Sequence, residues 1–259
     1  MSAPIAIVTG AARGLGFAVA DRLRADGFTV IGLDVAESAG VAACDVTDHA
    51  QVERLMTALP TAPVAVVNNA GIVRFGPLLE QSELDFRKVV EVNLVGTFIV
   101  ARAAARRMRA DGTTGTIVNI TSMNGVAPGP NAGAYGATKS AIALLTQQMA
   151  IEWGPLGIRV NAVAPGLIDA GMSEAIYADP EARTARSGRV PLGRLGTATD
   201  VVEAVAFLLS DRAAYITGQE LLVDGGVTMS VIASLPRPRS VDGVGIGGSG
   251  APDGMIGSG

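Results

Sequence analysis

A strand, a glycine turn and a helix open the chain within its first 25 residues, and that order restricts the fold more than any other stretch. Ile5–Val8 is a short apolar run. Thr9-Gly10-Ala11-Ala12-Arg13-Gly14-Leu15-Gly16 follows at once, and an apolar-periodic helix then continues to about Ala25. Gly10 permits a tight turn, Gly14 lets an anion approach the backbone, and Gly16 lets the helix lie close on the strand. A helix start placed after such a turn presents N–H groups to a pyrophosphate. The spacing is G-x-x-x-G-x-G, not the commoner G-x-G-x-x-G, and the bland alternative is a turn that only joins strand to helix.

Phe28–Leu33 is predicted as the second strand, with Asp34 at its end, eighteen residues after Gly16. An acid there accepts hydrogen bonds from ribose hydroxyls and repels a 2′-phosphate, which favours NAD over NADP. Arg13 has two readings, a partner for that phosphate or a solvated arginine. Val41–Cys44 is the third strand and ends in Asp45-Val46. The gap after Asp34 is too short for a helical crossover, so a loop or single turn is expected. Thr47 or Asp48 caps the next helix, and His49 at its start reads as surface. Val64–Val67 is a buried strand running into Asn68-Asn69-Ala70-Gly71, short residues that bring backbone near a ligand. One helix is expected from about Ser82 through Asn93 to Arg109. Its mid-helix Asn93 must find partners if buried, and on the helix alone it reads as a core amide.

Chemistry concentrates between Gly115 and Trp153. A strand at Thr116–Ile120 leads through a Gly/Pro/Asn-rich loop to a long helix from about Ala134. Tyr135 and Lys139 stand four apart at its start and share a face. A nearby cation lowers a phenol from its usual pKa of about 10. Ser122 lies just past the strand's C-terminal end, where open α/β sheets place ligands. Further on, Ile158–Val163 is a strand before Pro165-Gly166-Leu167-Ile168, residues 171–196 lose periodicity, Asp200–Ser210 is a helix, and Glu220–Val223 is the last strand.

Composition excludes several functions. A formal charge of −4 gives no reason to expect nucleic acid or an anionic membrane as partner. Cys44 is the only cysteine, so no intrachain disulfide is expected and a cytoplasmic location is the default. His49 is the only histidine, which removes a His-based triad elsewhere and most zinc sites; no metal is expected. No signal peptide or membrane span is read in the sequence.

In order and spacing, the Thr9–Gly16 turn, the Asn68–Gly71 turn, Asn93, Ser122, Tyr135, Lys139 and Pro165-Gly166 resemble the short-chain dehydrogenase/reductase family over about residues 4–230. The resemblance implies an α/β, doubly wound Rossmann fold: one domain over residues 1–230 with seven parallel strands and helices on both faces, followed by a Gly/Pro-rich extension at 231–259. It also implies assembly as a homotetramer or dimer through the two long helices. By the same resemblance Tyr135 is the general acid/base, Lys139 holds the nicotinamide ribose and lowers the tyrosine pKa, Ser122 binds the substrate oxygen, and Asn93 holds a water linking Lys139 to solvent. Gly10, Arg13, Gly14, Leu15, Gly16, Asp34, Asp45, Val46, Asn69, Ala70, Gly71, Pro165, Gly166 and Ile168 would line the NAD site together with Tyr135 and Lys139. The family commonly has Thr where Ala170 stands, and Asp169 is a substitute to consider. Residues 171–196 would form a mobile lid, and Met123, Asn124, Met172 and Tyr177 are either pocket or packing. The extension would be disordered or docked on a neighbouring subunit through Ile232, Leu235 and Ile246. The activity implied is NAD(H)-dependent interconversion of a small-molecule secondary alcohol and ketone. Rivals are an NADPH-dependent 3-oxoacyl-thioester reductase and a non-catalytic NAD-binding protein.

Overall fold

The computed structural model describes residues 3–36, 38–230, 240–241 and 244–245. Seven strands form one parallel sheet: β1 (Ile5–Thr9), β2 (Thr29–Asp34), β3 (Val41–Ala43), β4 (Ala65–Asn68), β5 (Gly115–Ile120), β6 (Ile158–Pro165) and β7 (Glu220–Val223). Their spatial order is β3-β2-β1-β4-β5-β6-β7. The chain runs outward from β1 to β3, then returns to lay β4 on the other side of β1. The crevice at that reversal, outside the C-terminal strand ends, is where such sheets bind ligands.

Burial on both faces explains why the central strands read as unbroken apolar runs. Ile5, Ile7, Val66 and Ile117 pack under α2 (His49–Ala58), α4 (Gly96–Ala110) and α6 (Ala134–Trp153), which contribute Val52, Met56, Val100, Ala104, Met108 and Met149. Their neighbours Ala6, Val8, Val67 and Val118 pack under α1 (Gly14–Ala25) and α9 (Ala198–Leu209), through Val19, Leu23, Val201, Val205 and Leu208. Each alternate side chain therefore has its own helical layer. A buried amide chain stitches the first layer to the sheet: Asn68 Nδ2 donates to Asn119 Oδ1 at 2.9 Å, and Asn119 Nδ2 to Thr146 Oγ1 at 2.9 Å.

A bend at residues 35–36 and a turn at 39–40 lie between β2 and β3 in place of a helical crossover, and Asp48 is the side chain that caps α2. The structure corrects four boundaries. The helix expected from Ser82 to Arg109 is broken into α3 (Glu83–Val90), a π-helical turn at Glu91–Val95, and α4. The extra residue lies where the Asn93 amide leaves the helix to bond elsewhere, a common setting for such turns. The loop after β5 contains α5 (Met123–Val126), capped by Ser122. Residues 171–196, expected to be irregular, contain a 3-10 turn at Gly171–Ser173, α7 (Glu174–Tyr177) and α8 (Pro180–Ser187). No residue of α8 is buried, so it has no apolar stripe to read. Finally, α9 begins at Ala198, with Thr197 and Asp200 forming a reciprocal capping box, so Asp200 is inside the first turn.

Ser240–Val241 (β8) and Val244–Gly245 (β9) pair antiparallel. The anchors suggested for the extension, Ile232, Leu235 and Ile246, lie outside the described residues. Among the described residues, no helix is long and apolar enough to cross a membrane, and no cluster of three His, Cys, Asp or Glu could hold a metal.

Candidate active site

The crevice is held open by backbone, not charge. Gly10 has φ +66°, and a Cβ there would stand 2.8 Å from Asn69 Nδ2. A Cβ on Gly16 would overlap the Gly10 carbonyl oxygen. Both glycines are therefore required by packing. The buried Thr9 hydroxyl accepts the N–H groups of Asn69 at 3.0 Å and Ala70 at 2.9 Å. Asn69 Nδ2 donates back to the carbonyls of Thr9 at 3.0 Å and Gly10 at 3.2 Å. Four bonds thus weld the ends of β1 and β4 at the reversal point. Thr9 was not singled out from sequence; its partners are some 60 residues away.

Around this weld stand the other predicted cofactor residues. Arg13 is exposed and precedes α1 in extended conformation (φ −158°) without capping it by its side chain, so the first-turn N–H groups at Gly14, Leu15 and Gly16 have no side-chain cap. Asp34 ends β2 beside the turn and accepts the N–H of Ala12 and of Ala36, each at 3.2 Å. Part of its carboxylate braces the glycine loop, and acceptor capacity remains. Asp45 Oδ1 accepts from Thr47 N at 2.9 Å and Oγ1 at 2.7 Å.

Two residues expected to line the crevice turn their side chains elsewhere. Val46 is buried against Gly96 of α4, and Ile168 is buried against Gly196 beside the α9 layer, so each has chiefly backbone to offer a ligand. Pro165 pairs with Val223, and Gly166 is glycine because a Cβ would meet Asp224 at 2.5 Å. Gly14 and Gly171 also approach closely: a Cβ on Gly14 would lie 2.9 Å from Gly171 Cα. The segment after β6 therefore rests on the glycine turn, a contact no sequence pattern announces.

Opposite this cradle stand Ser122, Tyr135 and Lys139. Lys139 is buried, its Nζ donating to the Ile120 carbonyl at 2.7 Å and standing 5.5 Å from the Tyr135 ring centre. Burial pushes its pKa down to about 8, so at pH 7 it is still mostly charged. Tyr135 is pushed above its ordinary value by burial, and the Ser122 hydroxyl beside it pulls the other way. The lowering expected from Lys139 is not the net result here. Desolvation is the largest influence on the phenol, and the ammonium is tied to the Ile120 carbonyl. Ser122 is buried and its Oγ accepts the Asn124 N–H at 3.2 Å.

Asn93 is fully buried. Its Oδ1 accepts the Ile72 N–H at 2.8 Å, while Nδ2 donates to the Ile72 carbonyl at 3.0 Å and to Thr138 Oγ1 at 3.2 Å. Both amide hydrogens are engaged. The amide braces the segment after β4 against α6. Gly71 fits between: a Cβ there would lie 3.3 Å from Asn93 Oδ1 and 3.7 Å from Lys139 Nζ.

The Asp169 carboxylate, considered above in place of the family's threonine, pairs with Arg183 of α8, with Nη1 at 2.6 Å. Tyr177 is buried beneath the Arg186 guanidinium, 5.9 Å from its ring centre, and is packing. Met172 is about half exposed at 51%. Asn124 lines a cleft of about 380 Å³ between Pro77-Leu78, residues 128–132 and the first turn of α6. No charged side chain lines it.

A parallel sheet with a glycine turn at its reversal, and a Ser–Tyr–Lys cluster across the crevice, define a dinucleotide-dependent oxidoreductase architecture. The chain belongs to the short-chain dehydrogenase/reductase family: a family model described as enoyl-(acyl carrier protein) reductase matches residues 10–228. It is 36% identical over 242 residues to 3beta-hydroxysteroid dehydrogenase 1 of Eggerthella lenta, covering 86% of this chain and 93% of that relative. A solved structure described as a 2-deoxy-D-gluconate 3-dehydrogenase from Agrobacterium tumefaciens, with bound NADP, is 35% identical with TM-score 0.82 and covers 87% of this chain and 96% of that one. A 4-hydroxyisoleucine dehydrogenase complexed with NADH is 33% identical with TM-score 0.82, covering 87% and 99%. A nicotinamide dinucleotide fits the cradle, whose uncapped N–H groups suit a pyrophosphate and whose Asp34 suits a ribose.

Proposed function

We propose that this protein is an NAD(H)-dependent oxidoreductase that interconverts a secondary alcohol and a ketone, with Tyr135 as general acid/base. The observation that carries the reading is the Ser122–Tyr135–Lys139 cluster across the crevice from the glycine turn. The nicotinamide, when bound, supplies or accepts hydride. In the reductive direction the Tyr135 hydroxyl gives its proton to the substrate oxygen, and Ser122 donates a hydrogen bond to the same oxygen. Lys139, charged at neutral pH, favours the phenolate left behind. Burial holds Tyr135 protonated at neutral pH, the form that reduction needs, and oxidation, which needs the phenolate, should accelerate as pH rises.

Asp34 supports NAD over NADP, since a 2′-phosphate would bring two further negative charges to a carboxylate. Assembly as a homotetramer or dimer is part of the same reading, supported by exposed Leu144 (66%) and Ile151 (78%) on α6. Tyr135→Phe should abolish turnover while NAD binding persists; retained turnover would overturn the mechanism. Fluorescence titration with NADH and NADPH tests the cofactor. Tighter NADPH binding would mean Arg13 outweighs Asp34 and would bring 3-oxoacyl-thioester reduction forward.

A further inference from the structure

The helix that presents Tyr135 and Lys139 has no cap of its own. Its N-cap is Gly133, at φ +55° and ψ −136°, with no side chain to offer and no acid in the first turn. A helix start needs acceptors for its leading N–H groups. Here one comes from 53 residues away: Gln81 Oε1 accepts the Ala134 N–H at 3.1 Å. The other end of the same amide, Gln81 Nε2, donates to the Arg74 carbonyl at 3.0 Å. A Cβ on Gly133 would overlap the Gln81 amide, so the glycine makes the space that the glutamine fills.

The segment so tethered is the one that leaves β4. Asn93 holds its start at Ile72, the Gly76 N–H donates to the Asn131 carbonyl at 3.0 Å in its middle, and Gln81 closes it. Pro77 and Leu78 from this segment form one wall of the cleft whose other wall includes residues 130–133. Among glutamine, glutamate and methionine, only the glutamine amide can accept from Ala134 and donate to Arg74 together at neutral pH. Glutamate keeps the acceptor and loses the donor; methionine loses both.

We propose that Gln81 is a positioning residue for Tyr135, fixing the first turn of α6 and clamping the 72–82 segment against it. The inference rests on the reading of Tyr135 as the acid/base, but its test needs no substrate. The full-length protein and its Gln81→Met and Gln81→Glu variants are compared by amide hydrogen exchange over residues 131–138. Titration of Tyr135 is followed by phenolate absorbance, with Tyr135→Phe subtracted to isolate it. Loss of a helix cap should speed exchange about five-fold in Gln81→Met, and glutamate should restore protection. Loosening the turn admits water to the phenol, so the Tyr135 midpoint should fall towards its ordinary value in Gln81→Met.

Unchanged exchange in Gln81→Met overturns the proposal. Faster exchange with an unmoved Tyr135 midpoint also overturns it, leaving Gln81 as a cap and nothing more. Turnover surviving in Tyr135→Phe would instead defeat the catalytic reading, and the exchange result would stand apart from it.

Discussion

The two sides of the crevice are built by different means. On the nucleotide side, β1, the glycine turn and the start of α1 are fixed by backbone contacts that leave no room for a methyl group: Gly16 on the Gly10 carbonyl, Gly10 against Asn69. On the other side, the outer parts of the segments at 72–82 and 166–190 also rely on long side chains reaching across the surface. Gln81 caps α6, Asp169 pairs with Arg183, and Arg186 covers Tyr177. The first side carries the uncapped helix start and the carboxylate that suit a dinucleotide. The second is held by contacts worth little each, so its shape can change without unfolding the sheet. That division agrees with a family whose members named above take a steroid, a sugar acid and an amino acid.

Substitutions on the two sides should differ accordingly. The largest effect is expected from Gly16→Ala, which forces its new methyl into the Gly10 carbonyl. Overpacking of this kind costs about 1–3 kcal/mol or more, and it should displace the turn, abolishing cofactor binding in a fluorescence titration. Thr9→Val comes next. It leaves two backbone N–H groups, of Asn69 and Ala70, without their acceptor. At about 1–3 kcal/mol for each unpaired buried group, denaturant melts should show a loss of several kcal/mol. If Thr9→Val melts like the parent protein, the weld between β1 and β4 is not what holds the crevice.

Lys139→Met sharpens the contrast by separating stability from activity. Burial lowers the Lys139 pKa to about 8 from its ordinary 10.5, so the folded protein bears the cost of a desolvated charge below pH 8. The unfolded chain keeps its proton up to about 10.5, and that cost is relieved as pH rises between the two values. Lys139→Met should therefore lose activity yet melt at a higher temperature at pH 7, with the gain shrinking towards pH 10. A drop in melting temperature at pH 7 would show that the bond to Ile120 outweighs desolvation. The smallest effect belongs to Arg183→Ala. Its ion pair with Asp169 is partly exposed (side chains 46% and 30%), so stability should fall by less than about 1 kcal/mol.

Much of this was legible beforehand, for identifiable reasons. The strands at Ile5, Ala65, Gly115 and Ile158 announce themselves because burial on both faces demands continuous apolar runs. The glycine turn was readable because positive φ and close packing leave glycine as the residue that fits. Helix α8 was not, since it buries nothing and leaves no period to detect. The break at Asn93 was hidden too: the sequence shows an amide in an apolar run, but not that Ile72 waits for it. Val46 and Ile168 place their side chains in the core, against Gly96 and Gly196, a direction that depends on which helices meet the strand ends.

What the sequence by itself determined is local: where strands and helices alternate, where the backbone must turn tightly, and that Tyr135 and Lys139 share a helical face. Those follow from periodicities of two and 3.6 and from the sterics of glycine, which act within a few residues. Tertiary structure alone decided the rest. It chose Gln81 to cap α6 from 53 residues away, tied Asp169 to Arg183, and desolvated the Tyr135 phenol enough to raise its pKa. Each of these depends on which surfaces meet once the sheet has closed, and on how much water is left between them.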